Sequence, residues 1–286
     1  DSYNVAVGDN SGAAVTTGIK NVFVGGLAGD ATTDADENVA IGYDSLGTNQ
    51  LGTASVAVGA SALRTQNPAT ATNMFNTAIG HFAGYAVTTG TQNTLLGGVA
   101  GDAITTGTNN VAVGYLALTT ETAGGNSVAV GRSALANQNV TTGGNVHNVA
   151  VGHGAGTNVT TGDENTLIGA LAGDALTTSG DNVAVGYEAL GSQVDGASQN
   201  TAVGYKAARL NTGGDGLTAF GRQALEDNTT GQNNVAVGSL ALNNNTVGNF
   251  SVAIGRLALQ DQNYGTSTDA YNVAIGHETG KEITTG

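Results

Sequence analysis

Asn4-Val5-Ala6-Val7-Gly8 decides the fold, because the chain keeps returning to it. It recurs as Asn38-Val39-Ala40-Ile41-Gly42 and as Asn272-Val273-Ala274-Ile275-Gly276. Sixteen copies close on Gly8, Gly25, Gly42, Gly59, Gly80, Gly97, Gly114, Gly131, Gly152, Gly169, Gly186, Gly204, Gly221, Gly238, Gly255 and Gly276. Of the fifteen steps between them, eleven are 17 residues, three are 21 and one is 18. Such a fixed period marks stacked repeats. Valine on both sides of alanine has the two-residue period of a strand. No apolar 3.6-residue period is sustained, which excludes an amphipathic helix. One 17-residue unit cannot bury its own apolar face, but stacked units can, each strand pairing with its equivalent in the next coil.

The expectation is an all-β, parallel β-solenoid of about 16 coils, a single repeat domain over 1–286. At about 4.8 Å per coil it would be a rod roughly 75 Å long. The Val/Ile pair of each motif is expected to point inward. The glycine is expected to mark a corner that needs positive φ or a close backbone approach. Asparagine opens the motif in twelve copies, serine in three (Ser55, Ser127, Ser251) and Leu217 in one. Stacked in register these side chains predict an amide ladder; the competing reading is a turn residue in each coil.

A second motif follows each corner. Three residues on lies a small side chain, and the next residue is of two kinds. Seven coils carry glycine there: Gly12, Gly29, Gly84, Gly101, Gly156, Gly173 and Gly280. Eight carry leucine: Leu46, Leu63, Leu118, Leu135, Leu190, Leu225, Leu242 and Leu259; one has Ala208. Three residues further, the glycine kind places an apolar residue in six of seven coils, whereas all others place Asn, Gln or Glu. One large aliphatic group per coil, supplied from either of two positions, reads as volume compensation in a shared, close-packed core.

Composition excludes several classes. Glycine supplies 46 of 286 residues, but not at every third position, and there is one proline, so the chain is not collagen-like. It has no cysteine, hence no disulfide or thiolate metal site. A net charge of −14 argues against nucleic acid and anionic lipid as partners. No apolar run is long enough for a spanning helix. With 40% hydrophobic and 10% charged residues, the chain does not have the composition of a disordered one.

No catalytic, cofactor or metal site is expected. His81, His153 and His277 share the slot directly after the corner glycine with Tyr43, Tyr115, Tyr187, Tyr205, Arg132, Arg222 and Arg256, which reads as an exposed row. His81 and His153 lie four coils, or about 19 Å, apart. A three-fold histidine ring across a trimer is the one exception to weigh. Gly276-His277-Glu278-Thr279-Gly280-Lys281 lacks the spacing and hydroxyl of a phosphate loop. Gly25-Gly26-Leu27-Ala28-Gly29-Asp30 fixes only one acid, too few for a calcium repeat.

The residues Asn-Ser-Val-Ala-Val-Gly at 126–131 and Phe-Ser-Val-Ala-Ile-Gly at 250–255 resemble the head repeat of trimeric autotransporter adhesins, the YadA-like family. Asn-Thr-Ala-Val-Gly-Tyr at 200–205 is similar to runs in phage tail fibres. The resemblance covers essentially the whole chain. It implies a left-handed parallel β-roll, a homotrimer around one axis, and an extracellular adhesin role on a bacterial surface, or a virion fibre. It also implies a host or surface receptor, protein or glycan; no membrane insertion by this segment is expected, from the lack of a long apolar run. The coils here are longer than is usual in that family. Neither end of the array shows a polar capping coil, so the chain reads as a segment of a longer fibre; the family's stalk and membrane barrel are not among these residues, which leaves adhesin and virion fibre both open.

The three long coils add four residues each, after Gln66-Asn67, Gln138-Asn139 and Gln262-Asn263. The resulting bulges, 68–75, 140–147 and 264–271, hold the candidate contact residues Pro68, Met74, Phe75, His147, Tyr264 and Tyr271. They are read either as a periodic contact row, removable without loss of fold, or as packing against a neighbouring subunit. A different class, an ice-binding solenoid, would want an unbroken threonine row. The pairs at 16–17, 88–89, 105–106, 160–161, 177–178 and 284–285 stop at the leucine coils. A polysaccharide-cleaving solenoid would want clustered acids in a groove; Asp34, Asp36, Glu37, Asp163 and Glu164 read instead as solubilising charge in loops.

Overall fold

A computed structural model of the protein describes residues 2–194 and 196–285. The chain divides into two compact units, 1–147 and 148–286. Each is a parallel β-solenoid, and the described residues contain no helix.

In the first unit the strands Val5–Val7, Val22–Val24, Val39–Ile41, Val56–Val58, Thr77–Ile79, Thr94–Leu96, Val111–Val113 and Val128–Val130 form one parallel sheet. Each coil contributes one strand, in exact motif register: Val5 lies opposite Val22 and Ala6 opposite Phe23. The second unit repeats this with Val149–Val151, Thr166–Ile168, Val183–Val185, Thr201–Val203, Thr218–Phe220, Val235–Val237, Val252–Ile254 and Val273–Ile275. Its 18-residue step leaves the register intact, with Val183 opposite Thr201. Each long coil builds a short second ladder on another wall: Gly52–Thr53 with Thr72–Asn73, Gly124–Gly125 with Gly144–Asn145, and Gly248–Asn249 with Thr268–Asp269.

One sequence expectation is reversed. The Val/Ile pair faces outward, and the residue between them faces in. Ala40, Ala112 and Ala184 are completely buried, whereas Ile41 is 40% exposed and Val7 58%. The reason is the two-residue alternation itself. The opening asparagine must turn inward to reach backbone in the next coil. Alanine, two residues later, shares its face, and the valines take the other.

The volume trade between the two coil kinds is present. Leu46, Leu63, Leu118, Leu135, Leu190, Leu225 and Leu242 are fully buried in leucine coils, and Val87, Ile104, Val159 and Leu176 in glycine coils. Three glycine coils also enlarge the central strand residue, to Phe23, Leu95 and Leu167. A Cβ on Gly29 would stand 2.5 Å from the Phe23 ring. The leucines sit in the left-handed region, with φ of 50° at Leu46 and 52° at Leu118. That conformation costs about 1–2 kcal/mol, less than the roughly 1.5–3 kcal/mol gained by burying the side chain.

The polar residues of the leucine coils and of the Ala208 coil are not solvated. Asn49, Gln66, Glu121, Gln138, Gln193, Asn211, Asn228, Asn245 and Gln262 are all buried. Asn211 holds its own corner, donating to the Gly214 carbonyl and accepting the Gly214 N–H, both at 2.9 Å. Asn228 then donates to Asn211 Oδ1 at 3.0 Å, forming a second internal amide ladder. The Glu121 carboxylate accepts the N–H groups of Thr122, Ala123, Gly124 and Val140, and an amide proton from Gln138.

Candidate contact surface

The corner glycines are structural, for two independent reasons. All sixteen have φ between 131° and 144°. At Gly114 a Cβ would also lie 2.6 Å from the Gly131 carbonyl oxygen in the next coil.

The opening asparagines form the expected ladder, mostly from side chain to backbone. Asn21 Oδ1 accepts the Asn38 N–H at 2.9 Å while its Nδ2 donates to the Ala35 carbonyl at 2.7 Å. Asn38 repeats this toward Ser55 and Gly52. Direct amide–amide bonds, such as Asn93 Nδ2 to Asn76 Oδ1 at 3.2 Å, are secondary. The three serines mark the long coils, where a glutamine bridges the interruption. Gln66 Nε2 donates to Ser55 Oγ at 3.2 Å, and Gln66 Oε1 accepts from Asn76 Nδ2 at 3.0 Å. Gln138 reaches Ser127 and Gln262 reaches Ser251 in the same way. The pairing of serine opener, glutamine and insertion is visible in the sequence once the ladder is known.

With backbone and core so satisfied, the outward strand residues are the main exposed apolar feature. One row runs Val5, Val22, Val39, Val56, Thr77, Thr94, Val111, Val128 in the first unit. The other, two residues on, runs Val7, Val24, Ile41, Val58, Ile79, Leu96, Val113, Val130. The second unit carries equivalent rows, ending in Val273 and Ile275, with Phe220 54% exposed among them. Neither row contains a charged residue. Eight strands at about 4.8 Å spacing make each strip roughly 34 Å long, of the few-hundred-Å² scale at which exposed apolar patches mark contact surfaces.

The slot after the corner is exposed, as expected for His81, His153, His277, Tyr43 and Arg132. Tyr187 and Tyr205 stack at 5.6 Å between ring centroids, and Arg256 Nη1 lies 3.2 Å from His277 Nε2. No group of three or more His, Cys, Asp or Glu that could hold a metal occurs among the described residues. Nor is there among them a helix long and apolar enough to cross a membrane.

The bulges do not form a simple displayed row. Met74 is completely buried, and Pro68 and Tyr264 are buried too. Val146 occupies the place of Met74 in the second bulge and is 2% exposed. Phe75, His147 and Tyr271 are exposed, but they belong to the row of left-handed residues just before each opening asparagine. Phe250 and Tyr271, one coil apart in that row, stack at 5.4 Å. The first two bulges drive a peg, Met74 or Val146, into the core beside the exposed residue; in the third, where Ala270 is half-buried, Tyr264 is the buried side chain, so removing a bulge removes core.

The threonine row is also longer than its sequence pairs suggest. It also takes in Thr122, Thr229 and Thr246 in leucine coils and Thr212 in the Ala208 coil, and is interrupted by Gln50, Asn67, Asn139, Val194 and Asn263. Its hydroxyls turn to the next coil: Thr105 to the Thr122 carbonyl at 3.0 Å, and Thr229 to that of Thr246 at 2.9 Å.

No family model matches this chain, and no curated protein is significantly similar to it.

Proposed function

We propose that the chain is a non-enzymatic, extracellular fibre module, an adhesin head segment that assembles as a homotrimer and presents its remaining faces for attachment. The observation that carries this reading is the uncharged two-row strip, mostly Val and Ile, on the outer face of a solenoid whose alanines and leucines already fill the core. Its occupant is a further copy of the same chain. A partner must offer an apolar group every ~4.8 Å along the strip, and another copy does so by construction. Burial of such a strip is driven by the hydrophobic effect and needs no specific polar contact. Three copies rather than two follow from the resemblance to trimeric adhesins.

The test is mass in solution, by light scattering or sedimentation. The native chain should weigh about three times 28.0 kDa. The variant Val113→Lys/Val185→Lys, whose changed side chains point outward, should keep its circular dichroism and become monomeric. A monomeric native chain would overturn the reading. Sequence flanking these coils in the full-length gene separates a bacterial surface adhesin from a virion tail fibre, since both use the same module.

A further inference from the structure

The second unit contains a cleft of about 220 Å³ lined by Leu171, Asp174, Glu188, Gly191, Ser192 and Arg209. Three successive coils build it. The first supplies Leu171 and Asp174, the next Glu188, Gly191 and Ser192, and the third Arg209. Burial, ahead of the neighbouring Glu188 charge, raises the Asp174 carboxyl above its ordinary range. Glu188 faces Lys206 at 3.6 Å, and Arg209 Nε is held by Glu226 at 3.0 Å. Beside Glu188 stands Tyr187, stacked on Tyr205; both rings are partly exposed, and Lys206 lies 5.3 Å from the Tyr205 centroid.

The first unit repeats the set. Leu27, Asp30, Asp44, Gly47 and Arg64 occupy the equivalent positions. Arg64 bonds Asp44 and lies 5.9 Å from the centre of the Tyr85 ring, and Tyr43 is exposed beside Asp44. Asp30 Oδ1 is buried and has no hydrogen-bond partner.

The scaffold does not require these side chains. The coils between the two sets place Leu116 where Asp44 and Glu188 stand, and Ala136 where Arg64 and Arg209 stand. There Asp102, the counterpart of Asp30 and Asp174, is satisfied internally by the Thr119 hydroxyl at 2.5 Å. The same fold is thus built with and without the charged set.

The chemistry narrows the ligand. A metal ion lacks a third His, Cys, Asp or Glu ligand and would face an arginine. An anion would face two carboxylates on a chain of net charge −14. The cleft is smaller than the ~300–1,000 Å³ pocket of a drug-sized ligand. What remains is a neutral molecule rich in hydroxyls, able both to donate to carboxylates and to accept from guanidinium, with one flat apolar face for tyrosine. We infer that each unit carries a subsite for a neutral saccharide, bonded by Asp174, Glu188 and Arg209 in the second unit and by Asp30, Asp44 and Arg64 in the first, with Tyr187/Tyr205 and Tyr43 as flanking platforms. This names the ligand class for the attachment role and rests on that proposal.

The test is calorimetric titration of the whole chain with four neutral hexasaccharides, of cellulose, maltose, chitin and mannan type. At least one should bind, with about two sites per chain. The pair Glu188→Leu/Arg209→Ala installs residues that the fold already carries at the equivalent positions. It should halve the number of sites, and adding Asp44→Leu/Arg64→Ala should abolish binding, with circular dichroism unchanged throughout. Failure of all four sugars to bind, or unchanged binding by the four-fold variant, would overturn the inference. Either result, obtained with a trimer of intact mass, leaves the fibre reading standing; a monomeric native chain that still binds sugar does the reverse.

Discussion

The side-chain oxygen of Asn93 accepts the backbone N–H of Asn110 one coil later at 3.0 Å, while its amide donates to the Gly107 carbonyl at 2.9 Å. One buried side chain thus satisfies two backbone groups on two walls. Asn93→Ala leaves both unpaired, and its expected cost is about 2–4 kcal/mol. Chemical denaturation reads this directly; a loss below about 1 kcal/mol would show that water replaces the amide.

The corner makes a graded prediction. Gly114→Ala forces a Cβ to 2.6 Å from the Gly131 carbonyl oxygen, in a backbone conformation that L-residues avoid. Gly276 shares that conformation, but the only close atom is the Thr279 hydroxyl. Gly114→Ala should therefore fail to fold or lose more than about 3 kcal/mol, and Gly276→Ala should melt at a clearly higher temperature than Gly114→Ala. Equal melting points would mean that backbone conformation alone, and not contact with the following coil, decides the position.

Inward and outward strand positions should respond oppositely to the same kind of change. Ala112→Val enlarges a residue with no exposed surface, and overpacking should cost about 1–3 kcal/mol. Val113→Lys, its neighbour, should leave monomer stability within about 0.5 kcal/mol and act on assembly. Thermal melts at low concentration separate the two effects.

Much of this was legible in the sequence. The 17-residue step gave the solenoid, and the Leu46–Asn49 against Gly84–Val87 alternation gave the shared core. Orientation was misread because Val-Ala-Val has the same alternation whichever face is buried. Only the asparagine two residues before each alanine breaks the tie, through bonds to the next coil. Met74 reads in the sequence as a contact residue, displayed or packed against a neighbouring subunit, because an insertion reads as a loop, whereas here the added residues form a second ladder, Gly52–Thr53 with Thr72–Asn73, that turns one side chain in. The Asp174 cleft was invisible because its residues come from three coils, each unremarkable alone.

The bulge peg carries its own prediction. Met74→Ala should cost about 2–5 kcal/mol, while Phe75→Ala, one residue on and exposed, should cost little. Urea midpoints of the two variants, compared at equal slope, test the assignment.

Acidification should stabilise the fold. Burial raises the Asp30, Asp174 and Asp227 carboxyls in the folded state. A raised folded pKa means that the fold holds protons which the unfolded chain has released, so this contribution is complete below the ordinary carboxylate pKa and is lost as pH rises through the raised values. The melting temperature should climb as pH falls from neutral through the raised values toward the ordinary carboxylate range. Asp227→Asn should raise it at pH 7, by no more than about 3 °C, and flatten the profile. A melting temperature that falls on acidification in calorimetry would contradict this account.

Because each strand pairs only with strands one coil away, and eleven of the fifteen steps between corners are 17 residues, length becomes a countable property of this chain. Excising one 17-residue turn returns the opening position to an opening position and corner glycine to corner glycine, so the strand ladder closes again in register. A gene can therefore lengthen or shorten such a molecule in steps of about 4.8 Å by unequal recombination between its own repeats, without inventing a new core.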